Sequence, residues 1–90
     1  MTVIDVNEDC HGSICIAATT QDAIDYLLTT GWIDDTTNVW DGLDQKWVTA
    51  KEYFGNDWES IIRSLSLDLF NDVFEYGFYL TPIEVYERKR

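Results

Sequence analysis

Apolar and polar positions alternate in two short stretches near the start of the chain. In residues 2–6 Ile4 and Val6 share one parity, and in residues 13–18 Ile14 and Ile16 do. A two-residue period is the mark of a half-buried strand. The six residues between, Asn7 to Gly12, suit a hairpin loop in which Gly12 can take a positive φ. The period then lengthens. Ala23, Ile24, Leu27 and Leu28 form one stripe at helical spacing, and Thr19 with Asp22 has capping-box spacing with Asp in place of Glu. Gly31 suits the position after the last helical turn, with Trp32 and Ile33 folding back onto it.

Residues 34–48 show no clear period. Val39-Trp40 and Trp47-Val48 flank a turn-rich stretch around Asp41-Gly42, which predicts a short extra hairpin of aromatic character. Thr49 and Glu52 start a short helix over 50–54 that stops at Gly55. Asp57 is the expected cap of another, whose apolar members are Trp58, Ile61, Ile62 and Leu65. Ser66 caps a last helix with Leu69, Phe70, Val73 and Phe74 inward, ended by Gly77. Residues 78–87 read as a closing strand. Its alternation changes phase at Thr81-Pro82, with Phe78 and Leu80 on one parity and Ile83 and Val85 on the other. Pro82 removes a ladder donor, so an edge position or a bulge is expected there. The expected fold is α+β: a three-stranded antiparallel sheet in ββ–helices–β order, with about three helices packed on one face.

Composition narrows the class. Ninety residues make one small acidic domain, spanning 1–90. Seventeen acids against six Lys and Arg leave a net charge of −11. The imbalance is concentrated: residues 1–45 hold nine acids and no Lys or Arg, whereas Arg88-Lys89-Arg90 closes the chain as a short basic tail, read as disordered or as pairing with an acidic patch on another copy. Nucleic acid and anionic membrane both repel such a chain, so neither is expected as a direct partner. The apolar runs are too short for a transmembrane helix, and Met1 to Asp5 lacks the basic start of a signal peptide. The expected location is therefore a reducing cytoplasm. Unpaired carboxylates repel one another at a cost in stability, which serves solubility or a basic partner that neutralises them.

Candidate chemistry is sparse. Cys10, His11 and Cys15 are the only soft ligands, and a structural zinc site wants four. A Cys–His nucleophile needs positive charge beside the thiolate, but Glu8 and Asp9 are there instead. A Cys10–Cys15 disulfide suits an oxidising compartment. The plain reading makes Cys15 a sheet residue and His11 a turn residue. A calcium loop with Gly42 at its sixth position fails at Thr37, Val39 and Val48. No phosphate-binding Gly-rich loop and no Gly-x-Ser-x-Gly elbow occur. The sequence thus points to no catalytic residue, metal or cofactor. Its richer feature is four Trp residues within 32–58, interleaved with acids. Trp serves either as core or as interface anchor. Trp40 and Trp47, flanking a turn, are the anchor candidates, with Asp34, Asp35, Asp41 and Asp44 supplying charge.

The run Glu8-Asp9-Cys10-His11-Gly12, then Ala23-Ile24-Asp25-Tyr26-Leu27-Leu28 and Gly31-Trp32-Ile33, resembles small acidic proteins encoded by phages and mobile elements of Gram-positive bacteria. Phe54-Gly55-Asn56-Asp57-Trp58 and Ile83-Glu84-Val85 extend the likeness. The resemblance implies a context, not catalytic residues. In that context small acidic proteins commonly block host nucleases or DNA-binding defence proteins, some by imitating the charge of DNA. The expected function is a non-enzymatic acidic binding protein, an anti-restriction or anti-CRISPR type of inhibitor and DNA mimic, that occludes a basic nucleic-acid-binding protein. Alternatives are an immunity or antitoxin protein neutralising a neighbouring toxin, a small enzyme or redox protein using Cys10, His11 and Cys15, and an accessory domain whose acidity serves only solubility.

Overall fold

A computed structural model describes residues 1–86; the basic segment Arg88-Lys89-Arg90 lies outside the described residues. The chain runs β1 (Thr2–Glu8), β2 (Gly12–Ala17), α1 (Thr20–Thr29), β3 (Asn38–Asp41), β4 (Lys46–Thr49), α2 (Ala50–Phe54), α3 (Trp58–Arg63), α4 (Leu67–Val73) and β5 (Phe78–Glu84). The architecture is α+β, with four helices where about three were expected. The first strand forms the centre of an antiparallel sheet of order β2-β1-β5, and β3 with β4 makes the separate hairpin.

Local signals place most element ends. Thr19, Thr49 and Ser66 each accept a backbone N–H three residues on, from Asp22, Glu52 and Leu69. Each satisfies one orphan donor of a helix start. Asp57 departs from expectation: it stands at the start of α3 but makes no side-chain capping bond. Gly31 takes φ 81°, which lets the Ile33 N–H return to the Leu27 carbonyl.

Strand facing is where pattern and structure part. Ile4 and Val6 are buried as expected. In β2, however, the inward residues are Cys15 and Ala17, paired with Val6 and Ile4. Ile16, opposite Asp5, is 59% exposed. A bulge at Ile14 adds one residue between the Val6–Cys15 and Asn7–Ser13 pairs. The extra residue switches which parity faces the core and lets Ile14 pack against it as well. The hairpin loop is also shorter than predicted, because Asn7 and Glu8 still pair with β2.

The closing strand corrects a second expectation. It pairs with β1 in unbroken register from Phe78 to Glu84, without the change of phase at Pro82. Phe78 and Leu80 are buried, while Ile83 and Val85 are exposed and the strand ends at Glu84. Pro82 does lie on an edge strand. The Asn71 side chain explains why it is tolerated. Its amide nitrogen donates to the Leu80 carbonyl (2.9 Å), and its oxygen accepts the Leu80 N–H (2.7 Å). Leu80 therefore aims its backbone groups away from β1, and so does Pro82 two residues on. The ladder to β1 loses no donor.

The core is one cluster built on the sheet: Ile4, Val6, Phe78 and Leu80 from its strands and Val39 from the hairpin; Ala23, Ile24 and Leu27 from α1 with Ile33 after it; Ala50, Ile62 and Phe70 from the later helices, with Phe74 at the end of α4. Its large rings are Phe70, Phe74 and Phe78, whereas no Trp is fully buried. Leu69, expected inward, is 55% exposed, and Leu67 packs against the core in its place. Arg63 joins α3 to α1 by pairing with Asp25 as well as Glu59.

Candidate interaction surface

The β3–β4 hairpin is held at its base by α2. The Ala50 N–H bonds the Thr37 carbonyl (2.8 Å) and the Lys51 N–H bonds that of Asp35 (3.1 Å). Val39, fully buried, fixes which side of the hairpin faces the core. The neighbouring cross-strand pair, Trp40 and Trp47, then stands on the opposite side. Their rings meet edge to face, with centroids 5.3 Å apart. Tyr76, in the turn between α4 and β5, completes a three-ring cluster at 5.2 Å from Trp47 and 6.5 Å from Trp40. That turn is held by bonds from the Gly77 and Phe78 N–H groups to the Phe74 carbonyl. Trp47 is 50% exposed and Tyr76 60%.

Two shallow clefts border the cluster, and a third lies farther along the α4–β5 turn. One of about 330 Å³ lies between the hairpin and the α4–β5 turn, walled by Trp47, Val73, Phe74, Tyr76 and Phe78, with Thr37 and Asn38 on its rim. A second, of about 300 Å³, runs beneath the hairpin tip past Trp40 and Tyr53, and carries Asp41, Asp72 and Glu75. The third, of about 290 Å³, carries Glu8, Asp9 and again Glu75, beside Tyr79. Among the described residues no Lys or Arg lines any of the three. Among the described residues Asp41, Asp72 and Glu75 have no ion-pair partner.

The four aspartates singled out by sequence do not form one group. Asp41 and Asp44 sit at the hairpin tip, where Asp41 Oδ1 accepts the N–H groups of Leu43 (3.0 Å) and Asp44 (3.3 Å). Asp34 and Asp35 lie beyond the base, separated from the tip by a four-residue strand of roughly 10–13 Å. Asp34 folds its own loop, accepting from the Thr36 N–H (2.8 Å) and hydroxyl (2.6 Å). The Thr36 hydroxyl first, and then its N–H, hold the Asp34 carboxyl below its ordinary value. A lowered native pKa stabilises the fold above the unfolded pKa, and that stabilisation is lost as the pH falls through the native one. Asp34→Ala should therefore lower the unfolding midpoint at neutral pH, with the gap narrowing once the pH drops below 3.8. A gap that stays constant from about pH 7 to about pH 3 in urea titrations contradicts this role.

The cysteine–histidine loop is organised by Glu8. Its carboxylate accepts from the His11 ring and from the N–H groups of Cys10 (3.1 Å) and His11 (2.9 Å), and the His11 bond foremost lowers its pKa. Both cysteines are free thiols, and burial, then the charge of Asp5, push the Cys15 thiol up. Among the described residues no three of His, Cys, Asp and Glu gather as a metal site, and no helix is long and apolar enough to cross a membrane.

Tyr76, Asp72 and Glu75 were absent from the sequence-based candidates. No fixed spacing ties Tyr76 to two Trp residues some 30 positions earlier, and nothing local sets Asp72 of α4 or Glu75 of the following turn apart from the chain's other acids. No protein-family model matches the chain, and neither a curated protein nor a solved structure matches it.

Proposed function

We propose that this chain is a non-enzymatic acidic binding protein that docks its hairpin and α4–β5 turn on a basic, nucleic-acid-binding protein and occludes it. One observation carries the reading: Trp47 and Tyr76 are half-exposed in a packed cluster with Trp40, and Trp40 borders a cleft that carries Asp41, Asp72 and Glu75, whose carboxylates are unpaired among the described residues. Rigid rings supply contact area at a small entropy cost, as interface anchors do. Carboxylates around them steer a cationic surface into place and take the role of phosphates. The resemblance to phage and mobile-element proteins suggests a restriction or CRISPR nuclease in a bacterial cytoplasm as the target. Asp34 and Asp35, whose groups serve the loop beneath the hairpin, add long-range field rather than contacts.

The test is capture from a nuclease-treated bacterial lysate, followed by competition. A basic protein retained on the immobilised chain should leave at moderate salt and be displaced by duplex DNA. Retention indifferent to both salt and DNA contradicts occlusion of a nucleic-acid site.

A further inference from the structure

We infer that the cleft between the β3–β4 hairpin and the α4–β5 turn is a subsite for an arginine side chain of the basic partner, whose guanidinium lies against the rings of Trp47 and Tyr76. This rests on the binding function proposed above and names the chemistry of its central contact. Size sets the first limit. At about 330 Å³ the cleft stands at the bottom of the ~300–1,000 Å³ range of small-molecule sites. It admits one long side chain rather than a dinucleotide-sized ligand.

The walls set the second limit. Val73, Phe74 and Phe78 give an apolar floor for a methylene stem. The Trp47 and Tyr76 rings stand at 74° to one another, already braced edge to face, so little ordering remains to be done on binding. At the rim the Asn38 side chain, which makes no hydrogen bond among the described residues, offers an oxygen to a guanidinium N–H.

Charge sets the third. The adjoining cleft brings Asp41, Asp72 and Glu75 to the Trp40 side of the same ring cluster, and among the described residues no cation lines either cleft. An anion is repelled here, and a neutral apolar residue leaves the carboxylates unanswered. Between the two cationic side chains, guanidinium is planar, weakly hydrated and stacks on aromatic rings, whereas ammonium keeps its water. The site therefore favours arginine over lysine.

The experiment titrates the full chain with hexa-arginine and hexa-lysine peptides by calorimetry, at low salt and at about 0.3 M salt, where exposed charges are screened. Both peptides should bind at low salt. Hexa-arginine should bind about five- to tenfold tighter, and that margin should persist at the higher salt. Trp47→Leu and Tyr76→Leu should each erase the margin while leaving hexa-lysine affinity within about twofold. In the unsubstituted protein, hexa-arginine should shift the indole N–H resonance of Trp47 and leave those of Trp32 and Trp58 in place. Equal affinity for the two peptides, a margin that survives both leucine variants, or equal shifts at all the indoles overturns the arginine subsite and leaves the binding reading standing. If neither peptide binds even at low salt, both the subsite and the binding reading are overturned.

Discussion

Asn71→Leu is expected to destabilise the protein by about 2–4 kcal/mol, a large share of the stability of a small domain. The substitution keeps the volume on α4 but removes both bonds to Leu80, at 2.9 and 2.7 Å. Those bonds satisfy backbone groups of an edge strand that, among the described residues, no further strand covers. The half-buried amide and carbonyl left behind each forfeit ~1–3 kcal/mol when unsatisfied, partly recovered where water reaches them. Asn71→Asp should also destabilise, since a carboxylate accepts from the Leu80 N–H but opposes its carbonyl. Urea unfolding monitored by Trp fluorescence reads the change. A loss below about 0.5 kcal/mol for the leucine variant means the edge is held by the β1 ladder alone. The effect matters to function because α4 and β5 flank the turn that carries Glu75 and Tyr76.

The second large effect concerns association. The double reversal Asp72→Lys with Glu75→Lys should slow binding of the hexa-arginine peptide by about ten- to a hundredfold at low salt and flatten its salt dependence. Both carboxylates line the cleft beside Trp40, and Glu75 also lines the cleft next to Tyr79. Asp22→Lys with Asp57→Lys is the control. It changes net charge equally, but those residues stand at the starts of α1 and α3, and neither lines any of the three clefts described above. If association depended only on net charge, the two pairs would slow it alike. A distinctly larger effect of the first pair locates the docking surface, and stopped-flow Trp fluorescence separates the two results.

Much of the fold could be read from neighbouring residues. Thr19, Thr49 and Ser66 mark helix starts because a hydroxyl reaches a donor only three residues away. Val39-Trp40 and Trp47-Val48 announce the hairpin because their spacing and the Asp41-Gly42 turn are local. Asp57 shows the limit of such signals: its position at the start of α3 was legible, its missing capping bond was not. In the candidate site, Trp40 and Trp47 were found by composition and spacing, and they are indeed a cross-strand pair. The grouping of the acids was not legible, since Asp34 and Asp41 lie only seven positions apart yet stand at opposite ends of a strand.

By itself the sequence determined the charge, the α+β class, the hairpin, and the helix starts. Each follows from side chains within a turn or two of one another, or from simple counts. The facing of β2 and of the end of β5 came from tertiary structure, whereas the buried face of β1 followed its alternation. The bulge at Ile14 turned Cys15 inward and Ile16 outward, and the continuous register with β1 left Ile83 in solvent. Tertiary structure also decided that Tyr76 joins Trp40 and Trp47, and that Glu75 and Asp72 line the same cleft as Asp41. Strand register and helix docking depend on which arrangement buries Phe70, Phe74 and Phe78 together. That choice is made by the whole core at once, and no local pattern along the chain encodes it.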